Sequence, residues 1–198
     1  MSDAETIGVY DQRAADYRDL VKKESTHPLL VEFMALLTPN DYVLDLGCGP
    51  ALSSAIMIKE GFRVDPVDAS AAMVKMANES FNVGARQATF ADIDGEAIYD
   101  GIWASFCLLH AKREELPTIL QALNKSLKPN GVMHLTMKLG EGAKRDGIGR
   151  FYTYYTEPEL KAHLQAANFS IIAQEQGEAM SLAGKLEPWI MLRSVKKA

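Results

Sequence analysis

Apolar and polar positions divide most of the chain into short buried runs separated by segments of helical length. The runs at residues 42–45, 62–67, 86–91, 99–107 and 132–138 are bounded by turn-forming residues, which is typical of buried strands. Helices are predicted between and after them at residues 51–60, 71–80, 114–127 and 158–167, and further strands at 169–174 and 188–195. Residues 128–131 read as a turn. Because strands alternate with helices, the pattern predicts an α/β fold with a parallel sheet covered on both faces.

The amino-terminal segment is predicted to be helical. Residues 5–23 form one helix in this interpretation, with Tyr10, Ala14, Tyr17 and Val21 on one face, and residues 28–37 form a second. Two interpretations of the first helix stay open. In one, it is an amphipathic helix packed on the edge of the domain. In the other, it is part of a helical lid or cap formed by residues 1–38, and Tyr10 and Tyr17 point into a ligand site.

Residues 140–155 interrupt the alternation with glycines and charges followed by tyrosines, which predicts a flexible loop on the substrate side. Lys138, Arg145 and Arg150 are candidates for pairing with an anionic group, since guanidinium suits a carboxylate. Tyr152 and its neighbours are candidates for closing over an apolar or cationic ligand. The alternative is a solvated loop whose tyrosines pack against the sheet edge.

Carboxylates follow three successive predicted strands, at Asp45, Asp68 and Asp92. The carboxyl ends of parallel strands share one edge of the sheet, where ligands of such folds bind. Asp68 has the position of a residue that accepts hydrogen bonds from ribose hydroxyls, and Asp92 is placed to accept from an exocyclic amine of a purine. Met73, in the helix after Asp68, lies against a base in one interpretation and in the core in another.

The turn after Asp45 contains two glycines, Gly47 and Gly49, which let the backbone approach a ligand closely. A dinucleotide-binding turn has a third glycine where this chain has Leu52. The nearby carboxylate of Asp45 would repel a phosphate but would suit an amine or a sulfonium cation. The turn is therefore poorly suited to binding a pyrophosphate.

The composition of the chain limits the kinds of binding partner and the cellular compartment that are expected. The chain has 198 residues, a formal net charge of -5 and a pI of about 5.4, which does not favour binding to nucleic acid. Its two cysteines, Cys48 and Cys107, are predicted to be free thiols in a reducing compartment. No signal core and no run of roughly 18 apolar residues is present, so a cytoplasmic protein with a small-molecule substrate and no membrane partner is expected. No metal site is predicted, and the oligomeric state stays open.

Four motifs in order carry a family resemblance: VLDLGCGP, the VDAS around Asp68, the pair Ala91-Asp92, and YDGIWASFCLLH. Together they resemble the class I S-adenosylmethionine-dependent methyltransferases of small-molecule type, over roughly residues 5–138. The resemblance implies a Rossmann-like, doubly wound, mostly parallel seven-stranded sheet whose last strand is antiparallel, in a single domain of residues 1–198. It also implies S-adenosylmethionine as the cofactor.

The resemblance assigns a role to each matching residue. Asp45 and the turn would hold the methionine part of the cofactor, Asp68 would bind the ribose, and Phe106 would lie near the sulfonium. The implied cofactor-binding residues are Asp45, Gly47, Cys48, Gly49, Asp68, Ala69, Met73, Asp92, Ile93 and Phe106. Ala69 and Met73 would flank the adenine, and Asp92 with the backbone of Ile93 would meet its amine.

His110 follows the fourth strand, so it is predicted near the reacting end. It is either a general base for an acceptor that arrives protonated or a histidine making a structural hydrogen bond. Two rival functions remain: a nicotinamide-dependent oxidoreductase, which the missing glycine at Leu52 disfavours, and a cofactor-binding regulatory module without turnover.

Overall fold

A seven-stranded sheet runs through the computed structural model, which describes residues 3–21 and 28–197. The strands of this sheet are β1 (Tyr42–Leu46), β2 (Arg63–Asp68), β3 (Arg86–Gln87), β4 (Tyr99–Ser105), β5 (Leu127–Lys138), β8 (Phe169–Met180) and β9 (Leu186–Lys196). A separate hairpin consists of β6 (Ala143–Arg145) and β7 (Phe151–Thr153). The helices are α1 (Ala4–Gln12), α2 (Ala14–Val21), α3 (Pro28–Met34), α4 (Leu52–Lys59), α5 (Ala71–Phe81), α6 (Leu116–Ser126) and α7 (Glu157–Ala166).

The strand order confirms the predicted fold. It is β3-β2-β1-β4-β5-β9-β8, and β9 is antiparallel to both of its neighbours while the other pairs are parallel. The order reverses between β1 and β4, which are paired with each other. In open α/β sheets this reversal leaves a crevice at the carboxyl ends of the strands, where ligands bind.

Hydrophobic cores cover both faces of the sheet, which explains why the strands read as continuous apolar runs. Successive residues of a strand point to opposite faces. Val43 packs with Phe33 and Met57 on the α3–α4 face, whereas Leu44 packs with Leu120 of α6 on the other. All of these side chains are fully buried or nearly so.

The prediction of one helix over residues 5–23 is wrong. The chain forms α1 and α2, which meet at Arg13, although the backbone N–H of Arg13 still donates to Val9. Neither glycine nor proline marks this break in the sequence. The segment beyond residue 21 lies outside the described residues until Pro28, where α3 begins.

Two predictions about the sheet also need correction. The strand predicted at 86–91 ends at Gln87, because the backbone and hydroxyl of Thr89 both donate to Asp92 and turn the chain into a short 3-10 helix, Phe90–Asp92. The turn predicted at 128–131 is part of β5, with an irregularity in its pairing to β4.

Residues 140–155 do not form the predicted flexible loop. They contain the β6–β7 hairpin, and Tyr155 adds an isolated bridge to Leu139. Arg150 and Tyr152 are each only 2% exposed. The segment is therefore an ordered wall beside the sheet edge.

Candidate active site

The glycine turn is held tightly against the end of β2. The backbone N–H groups of Gly47 and Cys48 both donate to Val67, at 2.8 and 2.9 Å. Gly47 has φ +70°, and a Cβ built on it would lie 2.4 Å from the Cβ of Cys107. Only glycine fits this position without a shift of the backbone, so the turn keeps its close approach to whatever lies over it.

Asp45, the next-to-last residue of β1, is buried with 2% exposure. Its carboxylate accepts a hydrogen bond of 2.5 Å from the hydroxyl of Ser54 in α4. Burial raises the pKa of Asp45 to about 7, and the nearby charge of Asp68 adds to the rise. A cation placed beside this carboxylate would reverse the shift, because an opposite charge favours the ionised form.

Asp45 faces a cavity of about 160 Å³, which we call the glycine-turn cavity. Gly47 and Cys48 contribute to its wall, as do Tyr17 and Phe106. Residues of β4, β5 and β9 complete it, among them Trp103, His134, Thr136 and Trp189. His134 is fully buried, stacks on Trp103 with ring centroids 3.8 Å apart, and shares a 2.9 Å hydrogen bond with Thr136.

Asp68 joins the glycine turn to the start of α5. Its two carboxylate oxygens accept from the backbone N–H groups of Gly49 and Ser70, each at 2.8 Å. Burial raises the pKa of Asp68 above its usual value. Each carboxylate oxygen has two lone pairs, so Asp68 keeps acceptor capacity for a ligand hydroxyl.

A second cavity, of about 90 Å³, lies along Asp68, and we call it the Asp68 cavity. Gly47, Gly49, Ala69, Met73 and Phe106 line it, so the structure brings together most of the predicted cofactor residues. Ala88, Thr89 and Phe90 line it as well, and the sequence had not singled these out. The turn-forming Thr89-Phe90-Ala91-Asp92 pattern was the available signal for them.

Asp92 and Ile93 are placed differently. Asp92 is exposed and its carboxylate accepts from Thr89, and these hydrogen bonds lower its pKa. Ile93 is 4% exposed and packs in the core. Neither side chain is among the residues lining the Asp68 cavity, and their assignment to the adenine amine stays a prediction.

Helix α1 covers the Asp68 cavity, to which it contributes Thr6, Ile7 and Tyr10. It is tied down at its far end by Asp11, whose carboxylate accepts from the hydroxyl of Ser70 at 2.6 Å and from the backbone of Ala72 at 3.1 Å. This contact lies beside Asp68, because Ser70 also donates to Asp68.

The start of α1 is tied to the β6–β7 hairpin. Asp3 and Arg145 form two hydrogen bonds of 2.9 Å, and the hydroxyl of Thr6 accepts from the backbone of Phe151 at 2.8 Å. The amino-terminal helix and the β6–β7 hairpin are therefore joined to each other, and the role of the helix as a lid stays a prediction.

His110 stands at the centre of a hydrogen-bonded chain. Its Nδ1 lies 2.7 Å from the carbonyl oxygen of Phe151 and its Nε2 lies 2.9 Å from the hydroxyl of Tyr10. A carbonyl only accepts, so Nδ1 carries the proton. Burial lowers the pKa of His110 to about 4, so the neutral ring accepts the Tyr10 proton at Nε2. Arg150 in turn donates to the Tyr10 oxygen at 3.0 Å.

A third cavity, of about 110 Å³, contains all of the predicted substrate-side residues, and we call it the Lys138 cavity. Its wall consists of Tyr10, Tyr17, Phe106, Leu109, Lys138, Arg150, Tyr152, Ala179, Met180, Ser181, Leu182 and Glu187. The role of these residues in binding stays a prediction. Tyr154 is buried beside this wall, where its hydroxyl donates to Glu187 at 3.1 Å.

The three cavities meet at two side chains. Phe106 and Tyr17 line the glycine-turn, Asp68 and Lys138 cavities alike. Phe106 follows β4 with φ +54°, a backbone conformation uncommon outside glycine, and its N–H donates to Thr136 at 3.1 Å. A ligand lying along the first two cavities would therefore expose its middle to the third.

Ion pairs neutralise the charges around the Lys138 cavity. Lys138 is paired with Glu187, and its ammonium lies 4.0 Å from the centroid of the Tyr152 ring. Arg150 is paired with Asp146 at 2.8 Å. Neither Glu187 nor Asp146 is recognisable as a partner from the sequence, because the hairpin and the full length of β9 are not predicted from it.

Within residues 3–21 and 28–197, no group of three or more His, Cys, Asp or Glu side chains could hold a metal ion. No helix in the same part of the chain is long and apolar enough to cross a membrane. The cytoplasmic location stays an expectation.

Comparison with known proteins adds independent findings. Residues 43–131 match the family model described as a methyltransferase domain. The cypemycin N-terminal methyltransferase of a Streptomyces species is 33% identical over 155 residues, which make up 74% of this chain and 63% of that protein. An uncharacterized methyltransferase of Staphylococcus carnosus is 25% identical over 177 residues, or 85% of each chain.

Solved structures agree on the fold. The 1,6-didemethyltoxoflavin-N1-methyltransferase of Burkholderia thailandensis, with 1,6-didemethyltoxoflavin and S-adenosylhomocysteine bound, has a TM-score of 0.79 at 24% identity, covering 98% of this chain and 88% of that one. The matches confirm the predicted family and the prediction of S-adenosylmethionine as the cofactor. The chain belongs to the class I S-adenosylmethionine-dependent methyltransferases.

Proposed function

We propose that this protein transfers the methyl group of S-adenosylmethionine to a small molecule held in the Lys138 cavity. The observation that carries the proposal is the meeting of all three cavities at Phe106 and Tyr17. A cofactor that follows the glycine turn from Asp68 to Asp45 has its sulfonium between its two ends. Its methyl group would then face the remaining cavity.

The residues present suit each part of the cofactor. The free lone pairs of Asp68 would accept from ribose hydroxyls, and Ala69, Met73 and Phe90 would enclose the adenine. The buried carboxylate of Asp45, with its pKa raised to about 7, would gain a partner from the amino group of the methionine part.

The transfer itself is an in-line displacement. A lone pair of the acceptor forms the new bond to the methyl carbon, the carbon–sulfur bond breaks, and its electron pair stays on sulfur to give S-adenosylhomocysteine. The cofactor supplies the electrophile, so the protein contributes chiefly by holding the two groups in line.

An acceptor that arrives protonated must also lose a proton. His110 is the candidate base, reached through the Tyr10 hydroxyl that occupies its Nε2. A proton passing to the Tyr10 oxygen would send the tyrosine proton on to His110. Because the pKa of His110 is about 4, this route suits acceptors whose own proton is already acidic.

Relatives indicate which acceptors to screen first. By their names, one relative methylates the N-terminus of cypemycin, and another, from Rickettsia conorii, acts on oxygen in ubiquinone biosynthesis at 26% identity over 48% of its length. The matched region covers less than two thirds of either protein. Small nitrogen and oxygen acceptors are therefore the first candidates.

Calorimetry with S-adenosylmethionine, S-adenosylhomocysteine and NAD tests the cofactor half of the proposal. Micromolar binding of both sulfur ligands is expected. Binding of NAD with neither sulfur ligand bound would overturn the proposal in favour of an oxidoreductase.

Release of S-adenosylhomocysteine, followed over a panel of small nitrogen and oxygen acceptors, tests turnover. A module that binds the cofactor without turnover would give calorimetric binding and no release with any acceptor. For an acceptor that is turned over, Arg150→Ala should raise KM, because Arg150 lines the Lys138 cavity and orients Tyr10. An unchanged KM would remove Arg150 from substrate binding.

A further inference from the structure

We infer that the Lys138 cavity selects an uncharged, flat, conjugated ring that presents a carbonyl beside an N–H or O–H group, as in a lactam, to the Lys138–Glu187 pair. The inference rests on the proposed function, since it names the class of acceptor that the same site would take. It follows from the pairing of charges, the hydrogen-bonding capacity of the pair, and the shape of the wall.

The charges around the cavity favour a neutral ligand. Among the described residues that line it, the charged ones are Lys138, Arg150 and Glu187. Lys138 and Glu187 neutralise each other, with side chains 10% and 17% exposed, and Asp146 neutralises Arg150. A carboxylate or ammonium entering this cavity would lose its hydration without gaining an unpaired counter-ion, which is costly.

The Lys138–Glu187 pair still has hydrogen-bonding capacity. An ammonium has three donors, and Lys138 gives one of them to Glu187. The carboxylate of Glu187 accepts from Lys138 through Oε2, from Tyr154 through Oε1 and also from the Ser181 side chain, which leaves one of its four acceptor sites for a ligand. Because the two groups are in direct contact, one donor and one acceptor stand side by side at the cavity wall.

A lactam edge has the complementary arrangement. Its carbonyl oxygen accepts and its adjacent N–H donates, so one edge of one ring satisfies both Lys138 and Glu187. A carboxylate offers two acceptors and an ammonium offers only donors, so each would leave one member of the pair opposed by a group of the same kind.

The rest of the wall suits a flat ring. Tyr10, Tyr17, Phe106 and Tyr152 supply four aromatic side chains, and the cavity volume is about 110 Å³. An apolar protein cavity of about 150 Å³ holds benzene, so this one is on the scale of a single small ring. Phe106 places that ring next to the cofactor cavities.

The inference is tested by titrating four small probes into the protein saturated with S-adenosylhomocysteine, with amide chemical shifts as the readout. The probes are 2-pyridone, N-methyl-2-pyridone, benzoate and benzylammonium. We expect 2-pyridone to bind at least about tenfold more tightly than each of the other three, the equivalent of one hydrogen bond. Equal or tighter binding of benzoate or benzylammonium, or no binding of 2-pyridone, would overturn the inference.

Two variants should change which of the four probes binds most tightly. Glu187→Gln leaves the Lys138 charge unpaired, so benzoate should gain about tenfold in affinity while 2-pyridone loses affinity. Lys138→Met leaves the Glu187 charge unpaired and should favour benzylammonium in the same way. Glu178→Gln is the matched control, because Glu178 is exposed on β8, which pairs with the strand that carries Glu187, and should leave all four affinities unchanged. An identical probe order in all variants would also overturn the inference.

Binding of S-adenosylhomocysteine separates the possible failures. If the wild-type protein does not bind it, the proposed function fails. If it binds and the probe order is not as expected, the proposed function stands and the inference alone fails. A variant that no longer binds S-adenosylhomocysteine is misfolded, and the wild-type probe series then decides.

Discussion

The raised pKa of Asp45 predicts that cofactor binding depends on pH. Below pH 7 the free protein holds a proton on this buried carboxyl, whose pKa is about 7. The amino group of the cofactor favours the ionised form, so binding releases that proton. Affinity for S-adenosylhomocysteine, which has the same amino-acid part, should therefore rise as the pH rises from 6 to 8.

The size of the effect follows from the pKa. With a pKa of about 7, the affinity at pH 6 is about elevenfold lower than that of the protein with Asp45 fully ionised. At pH 8 it is lower by only about a tenth. The expected change is thus about tenfold, or about 1.4 kcal/mol. His110, with a pKa of about 4, does not titrate in this interval.

Calorimetry at pH 6, 7 and 8, in two buffers with different enthalpies of ionisation, measures both the affinity and the protons released. Close to one proton should be released at pH 6 and almost none at pH 8. Asp45→Asn should bind with an affinity that is independent of pH. Ser54→Ala removes a hydrogen bond that stabilises the carboxylate, so it should move the transition to higher pH. A wild-type affinity that is constant over this range, or a dependence that persists in Asp45→Asn, would refute the reasoning.

Two other substitutions test the turn and the cover. Gly47→Ala should destabilise the protein by about 2–4 kcal/mol in urea unfolding, because its Cβ would lie 2.4 Å from that of Cys107 at φ +70°. Gly8→Ala, in α1 with nothing within 4 Å of its Cβ, should be neutral or stabilising by up to about 1 kcal/mol, and similar losses in both variants would contradict this account. Asp11→Ala removes the acceptor for Ser70, so S-adenosylhomocysteine should dissociate about tenfold faster in stopped-flow displacement. An unchanged dissociation rate would show that this contact does not hold the ligand in.

Features determined by neighbouring residues could be predicted from the sequence. The strand, turn and helix around Gly47 follow from local apolar and glycine positions, and the places of Asp45 and Asp68 follow from where strands end. The Thr89–Asp92 turn was also readable, since a Thr followed three residues later by an acidic residue is a capping pattern. The apolar run through Phe90 favours a longer strand, and the two hydrogen bonds from Thr89 to Asp92 override that tendency.

Features determined by distant residues could not be predicted in this way. Asp11 contacts Ser70 across 59 positions and Lys138 contacts Glu187 across 49. No periodicity within either segment indicates such a partner. Knowing that residues 140–155 form a wall likewise requires knowing that α1 packs on it, through the pairing of Asp3 with Arg145.

The insertion of β9 between β5 and β8 determines the order in which the sites can be completed during synthesis. The residues lining the Asp68 cavity end at His110, so a growing chain that has folded through β5 already contains them all. Glu187 belongs to β9, and β8 has no partner in the sheet until β9 lies beside it. During synthesis the residues of the Asp68 cavity are therefore all present before Trp189 of the glycine-turn cavity and Glu187 of the Lys138 cavity emerge.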